Sequence, residues 1–236
     1  MRTPELSYVI PAYNAEQWLA LSLGSCIAST TRSIEVVVVN DASTDHTRRI
    51  LDWYAGKDER VKAIHLDKNA GSGNARNVGS FEAKAPYIAM LDADDESTSN
   101  RAGDTLKILR EKGDGLVHGS AVQLDFIGRN LGTLIATPFN MEHSLKEKFA
   151  FIVHSTMAYP KSFWERHPYD TDTYVKLAME DWKFQMDAAF EGYPIRHTEK
   201  VLCGRRLTQG QVAGRNHKES MEVKEAYLKA HEQVPA

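Results

Sequence analysis

The first hundred residues alternate short apolar segments with amphipathic ones, and this alternation constrains the fold more than any other feature. Strand-length apolar runs occur at residues 6–10, 34–39, 61–66 and 87–92. Between them, apolar residues recur at helical spacing over residues 16–29 and 73–84, and Ile50, Leu51 and Tyr54 form the stripe of a helix that Ser43 or Thr44 can cap. The β-branched run IEVVVV is typical of a central parallel strand covered on both faces. The resulting βαβαβαβ order predicts an open, doubly wound α/β sheet of mostly parallel strands, whose ligands bind outside the carboxyl ends of the strands.

The fourth predicted strand, YIAMLDADD (87–95), ends in three carboxylates. Because side chains alternate along an extended strand, Asp92 and Asp94 project from the same side. Paired carboxylate oxygens there suit a hard divalent cation, which commonly also holds a phosphate. A solvated acidic turn that merely ends the strand is the alternative, and this stretch alone does not decide between the two.

The three preceding strand ends carry loops that suit a nucleotide. The loop PAYNAE begins with Pro11, which is expected to end the first strand, and offers the flat ring of Tyr13 for stacking on a base. NDASTD offers Asp41 as an acceptor for an N–H on a base edge. KNAGSGNARNVG is glycine-rich and places Arg76 near a helix N-terminus, which suits phosphate. Turn and cap residues would explain each loop alone, but four such loops at successive strand ends favour a nucleotide site.

Composition excludes several classes of protein. The 236 residues, 42% of them hydrophobic, can bury a sizeable core as one domain or as two closely fused halves. The net charge of −3 argues against a nucleic-acid binder, which carries a basic face. The two cysteines suit a reducing compartment. No apolar run is long enough to span a bilayer. We therefore predict no transmembrane segment in this chain, and a cytoplasmic location or a peripheral one at the inner membrane face.

Together, PAYNAE, VVNDASTD, NAGSGNARNVG and LDADD resemble the motifs of the inverting glycosyltransferases of family 2, which have the GT-A fold. The likeness is close over the first hundred residues and loose over residues 101–178. It resumes at MEDWKFQMDAAFEGYPI (179–195), which is similar to the Glu-Asp-Trp helix in the acceptor half of that family. The resemblance implies a transferase that uses a nucleotide-diphosphate sugar, most often a UDP-sugar, with Mn²⁺ or Mg²⁺. It also implies a single GT-A catalytic domain over residues 1–236.

The roles that this family implies carry over to matching positions. Tyr13 would flank the base and Asp41 would accept the uracil N3–H. Arg76 would contact the nucleotide. Asp94 would bind the metal directly, and Asp92 would lie near both the ribose and the metal. The remaining donor contacts are assigned to residues of the same loops: Pro11, Ala12, Asn14 and Ala93.

Asp181 is implied to be the general base. It opens a predicted helix whose apolar stripe would dock the helix: Met179, Trp182, Met186, Ala189 and Phe190. We expect the helix dipole to keep the pKa of Asp181 low, so that the carboxylate is ionised at neutral pH. The alternative explanation of Asp181 is purely structural, since a carboxylate in the first turn of a helix is stabilised by the helix dipole.

The chain departs from the family pattern in two places. Ala42 stands where the family usually has glycine, which is tolerated if the turn needs no positive φ. Many members also have a late aromatic-Arg-x-His stretch, whereas CGRRLTQGQ (203–211) contains no histidine. We therefore expect Arg205 or Arg206 to neutralise the diphosphate instead.

The second half of the chain is expected to hold the acceptor. Residues 1–100 would form the nucleotide-sugar half and residues 101–236 a smaller, mixed acceptor half. The latter is predicted to contain a strand pair within residues 114–137, helices at 141–151 and 218–230, the helix opened by Asp181, and a strand near 195–203. The segment 208–216, rich in glycine and glutamine, is predicted to be a flap that orders over the donor.

Other conspicuous residues have simple explanations. We expect Cys26 and Trp164 to pack in the core, and His154 to lie at a strand end on the surface rather than in an acceptor cleft. The nine histidines show no spacing typical of a zinc site.

The sequence therefore predicts a metal-dependent inverting glycosyltransferase acting on a saccharide or lipid-linked acceptor, in the synthesis of cell-surface polysaccharide or glycoconjugate. A sugar-nucleotide pyrophosphorylase is one alternative, although its glycine-rich loop should follow the first strand, where PAYNAE stands. An inactive nucleotide-binding module is the other, and the carboxylates Asp92, Asp94 and Asp181 argue against it.

Overall fold

The computed structural model describes residues 3–147, 152–173, 179–207 and 217–231, and all strands in these ranges join one sheet. The strands are β1 (Leu6–Ala12), β2 (Ile34–Asn40), β3 (Val61–His65), β4 (Tyr87–Met90), β5 (Glu96–Ser97), β6 (Leu116–Leu124), β7 (Asn130–Leu134), β8 (Ala158–Pro160) and β9 (Ile195–Arg206). The helices are α1 (Leu19–Ile27), α2 (Thr47–Lys57), α3 (Ser72–Glu82), α4 (Arg101–Lys112), α5 (Met141–Glu147), α6 (Lys161–Arg166), α7 (Glu180–Phe190) and α8 (His217–His231), with a 3₁₀ turn at His154–Thr156.

The first four strands are parallel and lie in the order β3-β2-β1-β4. Every residue of β2 is buried, as its β-branched run predicts. Helix α3 packs closely on this sheet, since a Cβ at Gly79 would lie 2.5 Å from Val9 Cγ1. The predicted α/β sheet of mostly parallel strands is thus confirmed for the first half of the chain.

The first strand is longer than expected. Pro11 does not end β1, which continues to Ala12 in register with Val39 and Asn40 of β2. On the other side, β4 pairs with β1 only as far as Val9, so Pro11 lies beyond the point where β4 requires a ladder hydrogen bond. Pro11 and Ala12 therefore belong to the sheet rather than to the loop that they were expected to shape.

The second half of the chain extends the same sheet with strands of mixed direction. β8 is antiparallel to β4 and β6, and β6 and β7 form the predicted hairpin. β9 runs parallel to β6 and antiparallel to β5, and it continues to Arg206 rather than ending near residue 203. The predicted flap at 208–216 and the end of the predicted helix at 148–151 lie outside the described residues.

The expected core residues are buried. Cys26 and Cys203 are both buried and unpaired. Trp164 packs in the core, and its Nε1 donates a hydrogen bond to Asn77 Oδ1 at 2.8 Å. Across the described ranges, no helix has the length and apolar character needed to cross a membrane.

Candidate active site

A cavity of about 930 Å³ opens at the carboxyl ends of the parallel strands. Its lining includes Arg76 from α3, Asp92 from the loop after β4, and Asp181 from α7. Three predicted site residues thus meet at one cavity, although Arg76 and Asp181 are more than 100 positions apart in the sequence. The other predicted donor and metal residues lie outside its lining: Pro11, Ala12, Tyr13, Asn14, Asp41, Ala93 and Asp94.

Arg76 joins the two halves of the chain through ion pairs. Its Nη2 donates to Asp92 Oδ1 at 2.9 Å and its Nη1 to Glu180 Oε1 at 2.5 Å. Glu180 Oε1 also accepts a hydrogen bond from Ser72 Oγ at 2.5 Å. Although burial alone would lower the pKa of Arg76, the carboxylates of Asp92 and Glu180 raise it above its ordinary value. Arg76 is therefore held inside a network of carboxylates, and its contact with a nucleotide stays a prediction.

The three aspartates after β4, Asp92, Asp94 and Asp95, lie close enough for their charges to disfavour one another's ionisation. Burial opposes ionisation of Asp92, but Arg76 holds the pKa of Asp92 below its usual value. Burial and the charge of Asp92 raise the pKa of Asp94 to about 6. Burial, Asp92 and Asp94 raise the pKa of Asp95 well above normal, and its Oδ1 accepts the backbone N–H of Arg206 at 2.8 Å. Crowded carboxylates that resist joint ionisation have the chemistry of a divalent cation site, because a cation would remove their mutual repulsion.

Asp181 lies in the first turn of α7, between the buried residues Glu180 and Trp182. Its Oδ1 accepts the backbone N–H of Trp182 at 2.7 Å. Burial and the neighbouring Glu180 raise the pKa of Asp181. The expectation that the helix terminus keeps this pKa low is therefore wrong, because burial and a like charge outweigh the dipole of the helix.

The loops after β1 and β2 are tied to each other. The backbone N–H of Asn14 donates to Ser43 Oγ at 3.0 Å, and Asn14 Oδ1 accepts the N–H of Thr44 at 2.8 Å. Asn14 is one of two residues other than glycine with a positive φ, +48°, in the described chain. Tyr13 projects beside it with 52% of its surface exposed. The ring of Tyr13 is thus accessible, whereas Asn14 holds the loops in shape.

Asp41 is buried and already has partners. Its two carboxylate oxygens accept the backbone N–H groups of Ala70 at 2.9 Å and Gly71 at 2.8 Å. These bonds fix the glycine-rich loop at the start of α3. A contact between Asp41 and a base therefore stays a prediction, and it would use lone pairs that the loop leaves over.

Arg205 and Arg206 have different surroundings. Arg205 pairs with Gln123 through the β6–β9 ladder and lines the cavity, and its side chain has no hydrogen bond to any residue that the structure describes. Arg206 is only 1% exposed, is paired with Glu96, and donates from Nε to the carbonyl oxygen of Asp94 at 3.1 Å. Its guanidinium also lies 4.5 Å from the ring centre of Trp18. Arg206 is therefore fully engaged in the fold, and only Arg205 faces the cavity.

Comparison with known proteins identifies the family. Residues 7–168 match the family model described as Glycosyl transferase family 2. The chain belongs to glycosyl transferase family 2. This match spans more than half of the chain and confirms both the resemblance seen in the motifs and the prediction of a transferase.

Curated relatives of this family 2 glycosyltransferase carry consistent names. An uncharacterized glycosyltransferase of Haemophilus influenzae is 27% identical over 192 residues, covering 81% of this chain and 74% of that protein. The succinoglycan biosynthesis protein ExoO of Rhizobium meliloti is 38% identical over 100 residues, which is 42% of this chain and 28% of that protein. The chain thus spans only part of the length of several relatives.

Solved structures share the GT-A fold. TarS of S. aureus in complex with UDP-GlcNAc has a TM-score of 0.73 at 20% identity, covering 94% of this chain and 66% of that one. The mannosyltransferase PcManGT from Pyrobaculum calidifontis, in complex with GDP-Man and Mn²⁺, has a TM-score of 0.68 at 18% identity over 100% of this chain and 66% of that one. These likenesses confirm the predicted fold class.

The departure at Ala42 has a structural cost in this glycosyltransferase. Ala42 has φ of +56°, so the turn after β2 does require the left-handed conformation. An L-residue with a Cβ is strained there, whereas glycine is not. The condition under which alanine was expected to be tolerated, a turn without positive φ, is therefore not met.

His154 was expected at the surface, and this expectation is also wrong. The side chain is buried at the cavity wall, where its Nε2 lies 3.0 Å from the hydroxyl of Tyr169. The 3₁₀ turn His154–Thr156 leads into β8, which lies between β4 and β6 in the sheet, so residue 154 is part of the packed interior and not of an exposed strand end.

Several residues of the cavity have no motif that identifies them in the sequence. No role is predicted for Glu180, which belongs to the Glu-Asp pair, yet it binds both Arg76 and Ser72. The available signal in the sequence is an acidic residue next to the apolar stripe of a helix, where a carboxylate is rarely buried without a partner. His118 and Gln185 also line the cavity, and nothing in their local sequence indicates it.

Proposed function

We propose that this chain is a metal-dependent inverting glycosyltransferase that moves a sugar from a nucleotide-diphosphate donor, a UDP-sugar, to a hydroxyl acceptor in cell-surface polysaccharide or glycoconjugate synthesis. The observation that carries the proposal is the convergence of Arg76, Asp92, Glu180 and Asp181 on one cavity at the carboxyl ends of the parallel strands. Family membership supports sugar transfer and argues against the pyrophosphorylase alternative.

The donor is proposed to bind at the ends of the first four strands. Tyr13 would flank the uracil and Asp41 would receive its N3–H, with Pro11, Ala12, Asn14 and Ala93 forming the surrounding surface. Support comes from TarS, whose crystal structure contains UDP-GlcNAc. In this proposal residues 1–100 bind the donor and residues 101–236 bind the acceptor, within a single domain. The proposed location is cytoplasmic or peripheral at the inner membrane face.

Asp94 and Asp92 are proposed to hold a Mn²⁺ or Mg²⁺ ion. The raised pKa of Asp94, caused by burial and Asp92, supports this assignment. Among the described side chains, no group of three or more His, Cys, Asp or Glu residues is arranged to hold a metal alone. The diphosphate of the donor would therefore complete the ligand set, as in many Mg²⁺ sites. When bound, the ion supplies charge neutralisation for the departing diphosphate.

Arg205 is proposed to neutralise part of the same charge. Its side chain lines the cavity without a hydrogen bond to any described residue, and its charge opposes the rise in the pKa of the nearby Asp94. A guanidinium in this position suits a diphosphate oxygen because it offers several N–H donors in one plane.

Asp181 is proposed to remove the proton of the acceptor hydroxyl. Inversion in a single displacement needs this base on the face of the sugar opposite the leaving diphosphate. The raised pKa of Asp181 makes the carboxylate a better proton acceptor than an exposed aspartate would be. Glu180, fixed by Arg76 and Ser72, holds the first turn of α7 in place and thereby orients Asp181.

Calorimetric titration with UDP tests the proposed donor and metal sites. We expect Mn²⁺ to increase the affinity of the wild type for UDP, and Asp94→Asn to lose this increase. The fold should survive, because replacing Asp94 with a neutral amide removes a charge that Asp92 repels. Asp114→Asn, which changes an exposed carboxylate after α4, is the matched control and should behave as the wild type.

Equal affinity for UDP in Mn²⁺ and in EDTA would contradict the metal assignment, and tighter binding of GDP than of UDP would contradict the donor. Variants of Asp41 are less informative, since they would also release the loop at Ala70 and Gly71.

A further inference from the structure

Two residues with a strained backbone lie in loops that are bonded to each other. Within the ranges that the structure describes, Asn14 and Ala42 are the only residues other than glycine with a positive φ. The N–H of Asn14 donates to Ser43 Oγ, and Asn14 Oδ1 accepts the N–H of Thr44. Backbone strain persists only where the surroundings impose it, and it concentrates at sites that clamp a ligand. The loops after β1 and β2 therefore need a support that holds them in this conformation.

Asn40 closes the turn that contains Ala42. It is the last residue of β2 and is buried, and its Oδ1 accepts the backbone N–H of Ser43 at 3.1 Å. A backbone N–H can only donate, so this contact fixes which end of the Asn40 amide faces the turn. The NH₂ group of Asn40 must therefore point to the other side.

His65 receives that NH₂ group. Asn40 Nδ2 lies 3.1 Å from His65 Nδ1, and the two residues are paired across the β2–β3 ladder. Because an amide NH₂ can only donate, Nδ1 must be the accepting nitrogen, and the neutral imidazole carries its proton on Nε2. That Nε2 lies 2.8 Å from Asp52 Oδ1 in α2, which accepts its hydrogen bond. The neighbours of His65 on both sides thus select the same tautomer.

These contacts form a line from α2 to the loops proposed to bind the nucleotide. They run through His65 and Asn40 to Ser43, the residue that follows the strained Ala42. Ser43 Oγ accepts the N–H next to Tyr13, the exposed ring proposed to flank the base. His65 lies outside the cavity lining, so it acts on the loops and not on the ligand.

We propose that His65, oriented by Asp52, is a positioning residue for the donor nucleotide and holds the turn after β2 in the conformation that binds the base. The inference rests on the proposed function, since it concerns the proposed donor site. It goes beyond that function by assigning nucleotide affinity to a residue that touches no ligand and lies outside the family motifs.

The test compares two substitutions that each keep one side of the imidazole. His65→Asn places an amide oxygen close to the position of Nδ1 and so retains an acceptor for Asn40. His65→Gln places its amide close to the position of Nε2 and so retains a donor for Asp52, but it loses the acceptor. His167→Gln is the matched control, because His167 Nε2 also lies 2.7 Å from a carboxylate oxygen, that of Glu191, beyond the ends of α6 and α7.

UDP affinity is measured by calorimetry in the presence of Mn²⁺, and the free energy of unfolding by urea denaturation. We expect His65→Gln to weaken UDP binding about 10-fold, since the NH₂ group of Asn40 loses its buried acceptor. His65→Asn should bind UDP within about 3-fold of the wild type, because the acceptor is restored. His167→Gln should bind UDP as the wild type does, whatever its stability.

Asp52→Ala keeps the inference testable if His65→Gln does not fold. The side chain of Asp52 is 54% exposed, so its removal costs little packing. The variant releases the imidazole from its orientation and should weaken UDP binding about 3-fold. Unchanged affinity in Asp52→Ala would contradict the role of the pair.

Two measurements on the protein without nucleotide follow the contacts themselves. Nitrogen NMR of the imidazole side chains should find the proton of His65 on Nε2. Hydrogen exchange at the Ser43 amide should be about 10-fold faster in His65→Gln than in the wild type, because a freely turning Asn40 no longer holds that N–H. In His65→Asn the exchange rate should stay close to that of the wild type.

Contrary results separate the inference from the proposed function. If His65→Gln binds UDP as the wild type does, or if His65→Asn loses as much affinity as His65→Gln, the inference is overturned while the donor site stands. A proton on Nδ1 would overturn it as well, because this nitrogen could not then accept from Asn40. If the wild type binds neither UDP nor GDP, the proposed donor site fails and the inference fails with it, even where the exchange rates show that His65 holds the turn.

Discussion

Arg205 and Arg206 show how two adjacent residues of one type take opposite roles. Successive side chains of a strand point to opposite faces, so the last residues of β9 direct one guanidinium to the cavity and the other into the fold. The sequence left both as candidates for the diphosphate. The surroundings of Arg206, with Glu96 and the ring of Trp18 in contact, leave only Arg205 for that role.

Replacing each arginine by glutamine should therefore give opposite results. Arg205→Gln should weaken UDP affinity about 10-fold in calorimetry, because a hydrogen bond to a charged group contributes about 1.5–3 kcal/mol. Arg206→Gln should instead lower the free energy of unfolding by about 1–3 kcal/mol, measured by urea denaturation, because it removes a buried guanidinium that donates to the carbonyl oxygens of Asp94 and Asp125. Loss of stability in Arg205→Gln with normal UDP affinity would reverse the two assignments.

Asp181 carries the proposed chemistry, and its pKa sets the pH dependence of the reaction. Since burial and Glu180 raise this pKa, the carboxylate becomes protonated, and loses its function as a base, at a pH above the ordinary value of 3.8. The acid limb of kcat against pH should therefore lie above that of an exposed aspartate. Asp181→Asn should lower transfer about 100- to 10,000-fold without weakening donor binding, and the product should have the inverted anomeric configuration by NMR.

Asp187→Asn is the matched control for Asp181→Asn, because Asp187 lies further along α7 and pairs with Lys183 outside the cavity. It should retain transfer and its pH dependence. A product that retains the anomeric configuration of the donor, or near-normal transfer by Asp181→Asn, would exclude Asp181 as the base of an inverting reaction.

At the scale of elements, the first half of the fold was predictable because its strands and helices alternate and each carries a clear local pattern. The buried run of β2 and the apolar stripes of α1 and α2 carry period and length signals that do not depend on distant residues. The loops at their ends follow from the order of the elements, since parallel strands present their carboxyl ends on one edge. The location of Asp92 and Arg76 at that edge was therefore accessible from the sequence.

The remaining features depend on contacts that local patterns do not encode. The continuation of β1 through Pro11 depends on where β4 ends, and the pairing of β9 with both β6 and β5 joins segments far apart in the chain. The burial of His154 depends on the same packing. The pKa of Asp181 reverses its expected direction because Glu180 and burial act together, which only the three-dimensional arrangement shows.

The connection between β2 and α2 gives a prediction of stability. Ala42 has φ of +56° at this junction, so Ala42→Gly should relieve the strain of its Cβ. We expect the free energy of unfolding in urea to rise by about 1 kcal/mol, net of the entropy that glycine adds to the unfolded chain. Gly56→Ala in α2 makes the reverse exchange and serves as a control. A Cβ at this position would meet no atom within 4 Å, so alanine should raise the free energy of unfolding through its higher helix propensity. A loss of stability in Ala42→Gly would show that the methyl group packs favourably enough to outweigh its conformation.

At the scale of the whole molecule, ion pairs as well as apolar packing connect the two halves of the chain. Arg76 binds Asp92 from its own half and Glu180 from the other. Arg206 likewise reaches back from β9 to Glu96 and to the carbonyl oxygen of Asp94. The acidic loop after β4 is therefore held on one side by Arg76, 16 positions before Asp92, and on the other by Arg206, which is 112 positions after Asp94.

This bracing has a consequence for the order in which the chain folds during synthesis. The parallel strands β1 to β4 pair with one another and can assemble while the rest of the chain is still on the ribosome. The two-residue β5 pairs with β9, and Asp95 receives the backbone N–H of Arg206, so both wait for the last strand of the sheet. Contacts of such long sequence separation form slowly. We therefore expect the nascent protein to complete its carboxylate loop as one of its final steps, so that the proposed cation site is not assembled while the second half is unfinished.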